Sequence, residues 1–184
     1  MALSKITTES LLDGEITAAK LSFTPGITLG TAVASTSGAT IDFTGIPSGT
    51  KRISISFVGV STSGATGCIV QLGDSGGIET SGYLGAGFLS LASHQNITDN
   101  PTVGMPVETD SGAASVRHGG MILTLVDAST FTWQSIAIAG RSDTVQLGIG
   151  GASKSLSAEL TQVRITTRGG SETFDAGKVN ISYE

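Results

Sequence analysis

A two-residue alternation that recurs along the chain restricts its fold more than any other feature. Ile53, Ile55 and Phe57 alternate with Arg52, Ser54 and Ser56; Val163 and Ile165 alternate with Arg164 and Thr166; Val179, Ile181 and Tyr183 alternate with Lys178, Asn180, Ser182 and Glu184. In an extended strand that period puts the apolar set on one face and the polar set on the other. A strand that is apolar on one side needs a second layer to cover it. Alternation this clean also leaves the other face wet, which favours antiparallel sheets. Val145, Leu147 and Ile149 repeat the pattern. The expected fold is all-β, an antiparallel β-sandwich of jelly-roll-like form preceded by a short helical or extended arm.

Apolar runs punctuated by turn residues extend this over most of the chain. Strands are expected within 27–33, 40–43, 52–60, 68–72, 88–91, 116–126, 130–139 and 144–149, ahead of the two closing strands in 158–184. Only 14% of residues are charged and 26 are Gly, a composition that suits short strands and tight turns. Within 131–138 the larger apolar residues change from odd to even positions, which predicts a β-bulge near Gln134. The hexapeptide Ser-Thr-Ser-Gly-Ala-Thr occurs at 35–40 and again at 61–66. Its two copies predict turns of similar chemistry, with Gly38 and Gly64 free to take positive φ.

At 184 residues the chain is sized for one domain and an appendage. Pro25-Gly26 divides an arm, 1–24, from a sandwich domain, 25–184. In the arm, Ile6-Thr7-Thr8-Glu9-Ser10-Leu11 is echoed ten positions later by Ile16-Thr17-Ala18-Ala19-Lys20-Leu21. A Thr cap with Ile before it and Leu four places after has the spacing of a hydrophobic staple. Apolar residues stepping by five do not make one stripe on a continuous helix. Ile6, Leu11, Leu12, Ile16 and Leu21 therefore need a partner surface, either sister chains or a docking site.

The net charge of -5, with basic residues scattered, offers no stripe to follow a phosphate backbone, so no nucleic-acid partner is expected. The N-terminus lacks the basic start and apolar core of a signal peptide, and no apolar run is long enough to span a bilayer, so no membrane insertion is expected. Cys68, the single cysteine, lies in an apolar run and reads as a buried thiol; Trp133, the single tryptophan, reads as core.

Catalytic patterns are weak. Residues 73–77 spell Gly-Asp-Ser-Gly-Gly, as around the nucleophile of trypsin-like proteases, but no His precedes Ser75. His94 and His118 lack ligand spacing, so neither a metal nor another cofactor is expected, although a trimer axis could gather one ligand from each chain. Asp42, Glu79, Asp143, Glu159 and Asp175 read as surface acids, not as a glycosidase pair. The sequons at Asn96 and Asn180 matter only on a secretory route. The longest stretch without a convincing strand is 92–115, and long loops of that kind carry function. Within it His94, Gln95, Asn96, Asp99 and Asn100 offer hydrogen-bonding groups for a sugar or protein surface.

Three stretches, ITLGTAVASTSGATIDFTGIPSGTKRISISFVGVSTSG (27–64), GIETSGYLG (77–85) and VRITTRGGSETFDAGKVNISYE (163–184), together with the arm repeats, resemble bacteriophage tail-fibre and virion-appendage proteins with a compact β-rich C-terminal domain. The resemblance implies a homotrimeric, non-enzymatic virion protein, assembled in the host cytoplasm and joined by its arm to other virion proteins. It implies binding to a host surface glycan or protein; the alternatives are capsid decoration and, more remotely, a carbohydrate-cleaving enzyme.

Overall fold

The computed structural model describes residues 26–90, 96–109 and 112–184. Every regular element among them is a strand. In chain order these are β1 (Thr28–Leu29), β2 (Val33–Ala34), β3 (Thr40–Thr44), β4 (Arg52–Thr62), β5 (Cys68–Asp74), β6 (Gly77–Ile78), β7 (Leu84–Ser90), β8 (Asn96–Asp99), β9 (Met105–Pro106), β10 (Arg117–Asp127), β11 (Thr132–Arg141), β12 (Leu147–Ser155), β13 (Gln162–Thr167) and β14 (Phe174–Tyr183). All pairings are antiparallel. A nine-stranded sheet runs β1-β14-β4-β10-β11-β12-β7-β8, with β2 also on β14; a five-stranded sheet runs β3-β13-β5-β6, with β9 also on β5.

The pairing is nested. β1 joins β14, β3 joins β13, β4 joins β10 and β5 joins β9. Each successive pair lies inside the last along the chain and alternates between the sheets, which is the wrapping of a jelly roll. The hairpin β11-β12 and the strands β7 and β8 widen the large sheet beyond that frame.

The alternating strands pack as their pattern requires. Ile53, Ile55 and Phe57 of β4, Met121 and Leu123 of β10, and Val179 and Ile181 of β14 face Ile41 and Phe43 of β3, Val70 and Leu72 of β5, and Val163 and Ile165 of β13. Trp133 and Cys68 are buried with them. Burial pushes the Cys68 thiol up to about 11, against the opposing pull of Arg117.

Four expectations change. No bulge occurs at Gln134: β11 keeps unbroken register with β12 from Thr132 to Gly140, and the slip against β10 lies between Leu125 and Asp127. The apolar residues of β11 change parity because the strand carries small residues inward and large ones outward. Ala137 and Ala139 are buried while Ile136 and Ile138 are exposed. β12 does the same, with Gly148 and Gly150 buried and Leu147 and Ile149 facing solvent, as does Val145 in the turn before it. Residues 104–109 press against the inner side here: a Cβ on Gly150 would sit 1.9 Å from the Pro106 carbonyl, and one on Gly148 2.5 Å from the Glu108 Cβ.

The stretch 92–115 is likewise not one loop. It contains β8 and β9, and Pro101 and 104–109 are buried. The run 27–33 forms only the two-residue strands β1 and β2 at its ends. Of the hexapeptide glycines, Gly38 takes positive φ (76°), whereas Gly64 does not and lies against the Glu172 side chain.

Candidate functional site

The register divides the sandwich into two unlike ends. At one, Thr28 pairs with Tyr183, and the Lys51 and Arg52 N–H groups donate to the Glu184 carbonyl at 2.7 and 3.1 Å. The N-terminal segment therefore joins the domain at this end, through Gly26. The arm residues Ile6, Leu11, Leu12, Ile16 and Leu21 lie outside the described residues.

Ser/Thr/Gly-rich turns gather at the opposite end, where Arg117 pairs with Val60 and Arg141, and Leu147 with Ser90. Both hexapeptides meet here on either side of the 168–173 turn: the Phe174 N–H donates to the Gly38 carbonyl at 2.8 Å and the Ser63 N–H to the Thr173 carbonyl at 2.8 Å. Glu172 accepts from the Thr66 N–H at 3.1 Å, closing the 64–67 turn. The neighbouring β11-β12 turn is braced by Arg141, whose Nη2 lies 2.5 Å from Asp143 Oδ2 and whose Nη1 donates to Gln146. Asp143 also accepts from the Val116 N–H at 2.8 Å. Partial burial alone would raise the Asp143 carboxyl; Arg141 and that N–H outweigh it and hold it below the usual range. His118 Nε2 lies 3.2 Å from Ser142 Oγ.

Beneath this end lies a buried ion pair. Arg117 Nε donates to Glu108 Oε1 with the two side chains 1% and 0% exposed, and Arg117 Nη1 donates to the Ser115 carbonyl at 3.3 Å. It ties 104–109 to β10 and so fixes the base from which 112–116 emerges. A Glu and an Arg nine residues apart match no spacing motif, which is why the pattern of residues did not reveal the pair.

Of the sequence-predicted recognition residues, Asn96 falls at the same end, whereas Asp99 pairs with Gly87 well inside the sheet. Ser90 and Asn96, which flank 91–95, pair with each other there. His94 and Gln95 lie outside the described residues. Asn96 and Asp99 belong to β8, a strand rather than a loop, and Asn100 is exposed just after it.

The remaining chemical candidates are drawn into scaffolding. Ser75 is exposed in the β5-β6 turn, where Asp74 Oδ1 accepts the Gly76 N–H at 2.7 Å. Asp42 forms a two-point pair with Arg164 at 2.7 and 2.8 Å. Glu159 accepts from Ser48 and the Gly49 N–H, and Asp175 from Ser61. Glu79 pairs with Lys154 at 2.5 Å and accepts from Ser157 Oγ at 2.8 Å. Asn180 donates to the Gly30 carbonyl at 3.1 Å, inside the sheet. Among the described residues no three His, Cys, Asp or Glu side chains converge as a metal site, and no helix is long and apolar enough to cross a membrane. A cleft of about 450 Å³ opens between the β1 and β3 edges, lined by Leu29, Val33, Phe43, Ile46 and Tyr183 with Asp42 at its side.

No family model, curated protein or solved structure matches the chain.

Proposed function

We propose that this is a non-enzymatic structural protein of a bacteriophage virion. It is a short, homotrimeric appendage attached through its N-terminal arm, and it presents the far end of its sandwich to the host surface. The observation that carries this is the polarity of the domain: the N-terminal segment joins at one end, and turns rich in Ser, Thr and Gly crowd the other. The resemblance of 27–64, 77–85 and 163–184 to virion-appendage proteins supports the setting.

A recognition surface of short turns on a rigid sandwich is a common arrangement, because strands hold the turns in place while their residues vary. The hydroxyl and amide groups there suit a glycan or a polar protein surface. The arm contributes attachment and the far turns contribute affinity.

The test is phage production with this chain altered in two separate ways. Deleting 1–23 should leave a folded domain that is missing from purified particles. Replacing 142–146 with an unrelated turn should leave incorporation intact and reduce adsorption to host cells. Normal incorporation of the deletion refutes the arm's role. Scores of copies spread over the shell, with adsorption unchanged, would make the protein a capsid decoration; release of oligosaccharide from host-envelope polysaccharide would make it an enzyme.

A further inference from the structure

The outer face of the large sheet is polar over β14 and β4 but apolar across β10, β11, β12 and β7, where a solvated face should be polar. Ile122 of β10 lies opposite Ile136 of β11; Ile138 of β11 lies opposite Ile149 of β12, which in turn lies opposite Phe88 of β7. Ile136, Ile138 and Ile149 are 56%, 52% and 42% exposed. The β3-β13 part of the small sheet shows the ordinary arrangement, its outer side carrying the partly exposed ion pair Asp42–Arg164. Nor does the core demand the isoleucines, since the inward positions of β11 and β12 hold Ala and Gly against 104–109.

Two glycines on the same outer face make a second, independent observation. Gly140 sits opposite Leu147, and Gly151 opposite Ile136. Neither has positive φ, and a Cβ on either would meet nothing nearer than 3.9 Å and 3.7 Å respectively. Glycine weakens a strand interior, and where turn geometry and internal crowding do not require it, it marks close approach by another backbone.

We infer that this face packs against the same face of another copy of the chain, with the isoleucine ridges of one copy seated in the Gly140 and Gly151 hollows of the other. Three properties select a second copy as the occupant. Ridges and hollows lie side by side on one surface, so the face is complementary to itself, as a symmetric contact requires. The outward positions of β10, β11 and β12 between Thr124 and His118 carry no Asp, Glu, Lys or Arg, so a chain of net charge -5 meets its copy there without like-charge repulsion. The exposed apolar side chains present on the order of 500 Å². With the glycines and serines around them the face approaches the roughly 800 Å² per partner of a stable interface. Sheets packed this way lie about 10 Å apart, which glycine-flattened surfaces permit.

This contact pairs two copies about a two-fold axis; it is separate from the threefold association of the proposed function and does not depend on the virion setting. The test is the mass of the full chain in solution by light scattering and sedimentation, at micromolar concentrations, alongside thermal unfolding. The wild-type chain should sediment with an even number of copies, as a dimer or a pair of trimers, and an odd number overturns the contact. Gly140→Val and Gly151→Val should weaken it about 100-fold in dissociation constant while the dissociated chain unfolds no more easily than the wild type, because β-branched residues favour strands. Ile138→Lys should do the same, and Thr44→Lys on the small sheet should not.

An assembly unaffected by all three outer-face variants places the contact elsewhere, such as in the arm, and overturns the inference while leaving self-association standing. A wild-type monomer overturns both. Loss of virion incorporation by an assembly that still forms bears only on the virion setting. If Ile138→Lys fails to fold, the glycine variants decide the matter alone.

Discussion

Glu108→Gln is the most informative single perturbation of the domain. The substitution keeps the size of the side chain and removes its charge, leaving the Arg117 guanidinium buried without its carboxylate. Breaking a buried pair by removing one partner costs about 3–5 kcal/mol, because the survivor is left uncompensated. For a domain of this size each kcal/mol moves the melting temperature by about 2–4 °C, so a fall of about 6–20 °C is expected. Trp133, the only tryptophan and a buried core residue, reports the transition by fluorescence. The companion variants are Arg117→Met and the double variant Glu108→Gln/Arg117→Met, all compared at one protein concentration since association shifts apparent stability. The double variant should be more stable than the sum of the single losses predicts, by a coupling of about 2 kcal/mol or more. If Glu108→Gln costs less than about 1 kcal/mol, the two charges are not a dry pair, and the account of how 104–109 is held fails.

Gly150→Val should destabilise the domain by about 1–3 kcal/mol or more, since its Cβ would collide with the Pro106 carbonyl 1.9 Å away; denaturant unfolding measures the loss. Glu79 supplies a pH dependence. Burial would raise its carboxyl, but the Lys154 and Ser157 contacts prevail and hold it below its ordinary value of 4.5. A depressed folded-state pKa adds stability that is complete above the unfolded value and is lost as pH falls through the folded one. Melting temperature should therefore drop on acidification below about 4.5, and Lys154→Met should flatten that drop. Cys68, buried and with its thiol raised to about 11, should resist a soluble thiol reagent at pH 8 in the native state and react at once in urea.

The sandwich was legible wherever one face of a strand was apolar and the other polar. β4 from Arg52 to Val58, β13 from Gln162 to Ile165 and β14 from Lys178 to Tyr183 follow their alternation, and Ile53, Val163 and Val179 are all fully buried. β11 and β12 misled because their larger residues face outward. A period of two says that residues share a face but does not say which face is the core, and the size rule that normally decides was inverted by 104–109. β9 and the buried parts of 101–109 were hidden for a related reason: prolines and polar residues read as a loop, yet Pro106 sits on a two-residue strand and Glu108 has Arg117 to neutralise it. At the candidate site, the two hexapeptides were visible as copies; their convergence on the 168–173 turn depended on pairings between strands that are distant in sequence.

The nested pairing also sets an order in time. Thr28 cannot find its place until Tyr183 exists: β14 is the strand on which β1 pairs, whereas β4 also has β10 on its other side. Contacts this distant along the chain form slowly and late. A chain that is interrupted or misfolded before β14 therefore has no partner strand for Thr28 and Leu29. The β1 edge beside Gly26 is closed only by the last strand of the chain, so the end of the domain where its first strand lies is completed after the rest.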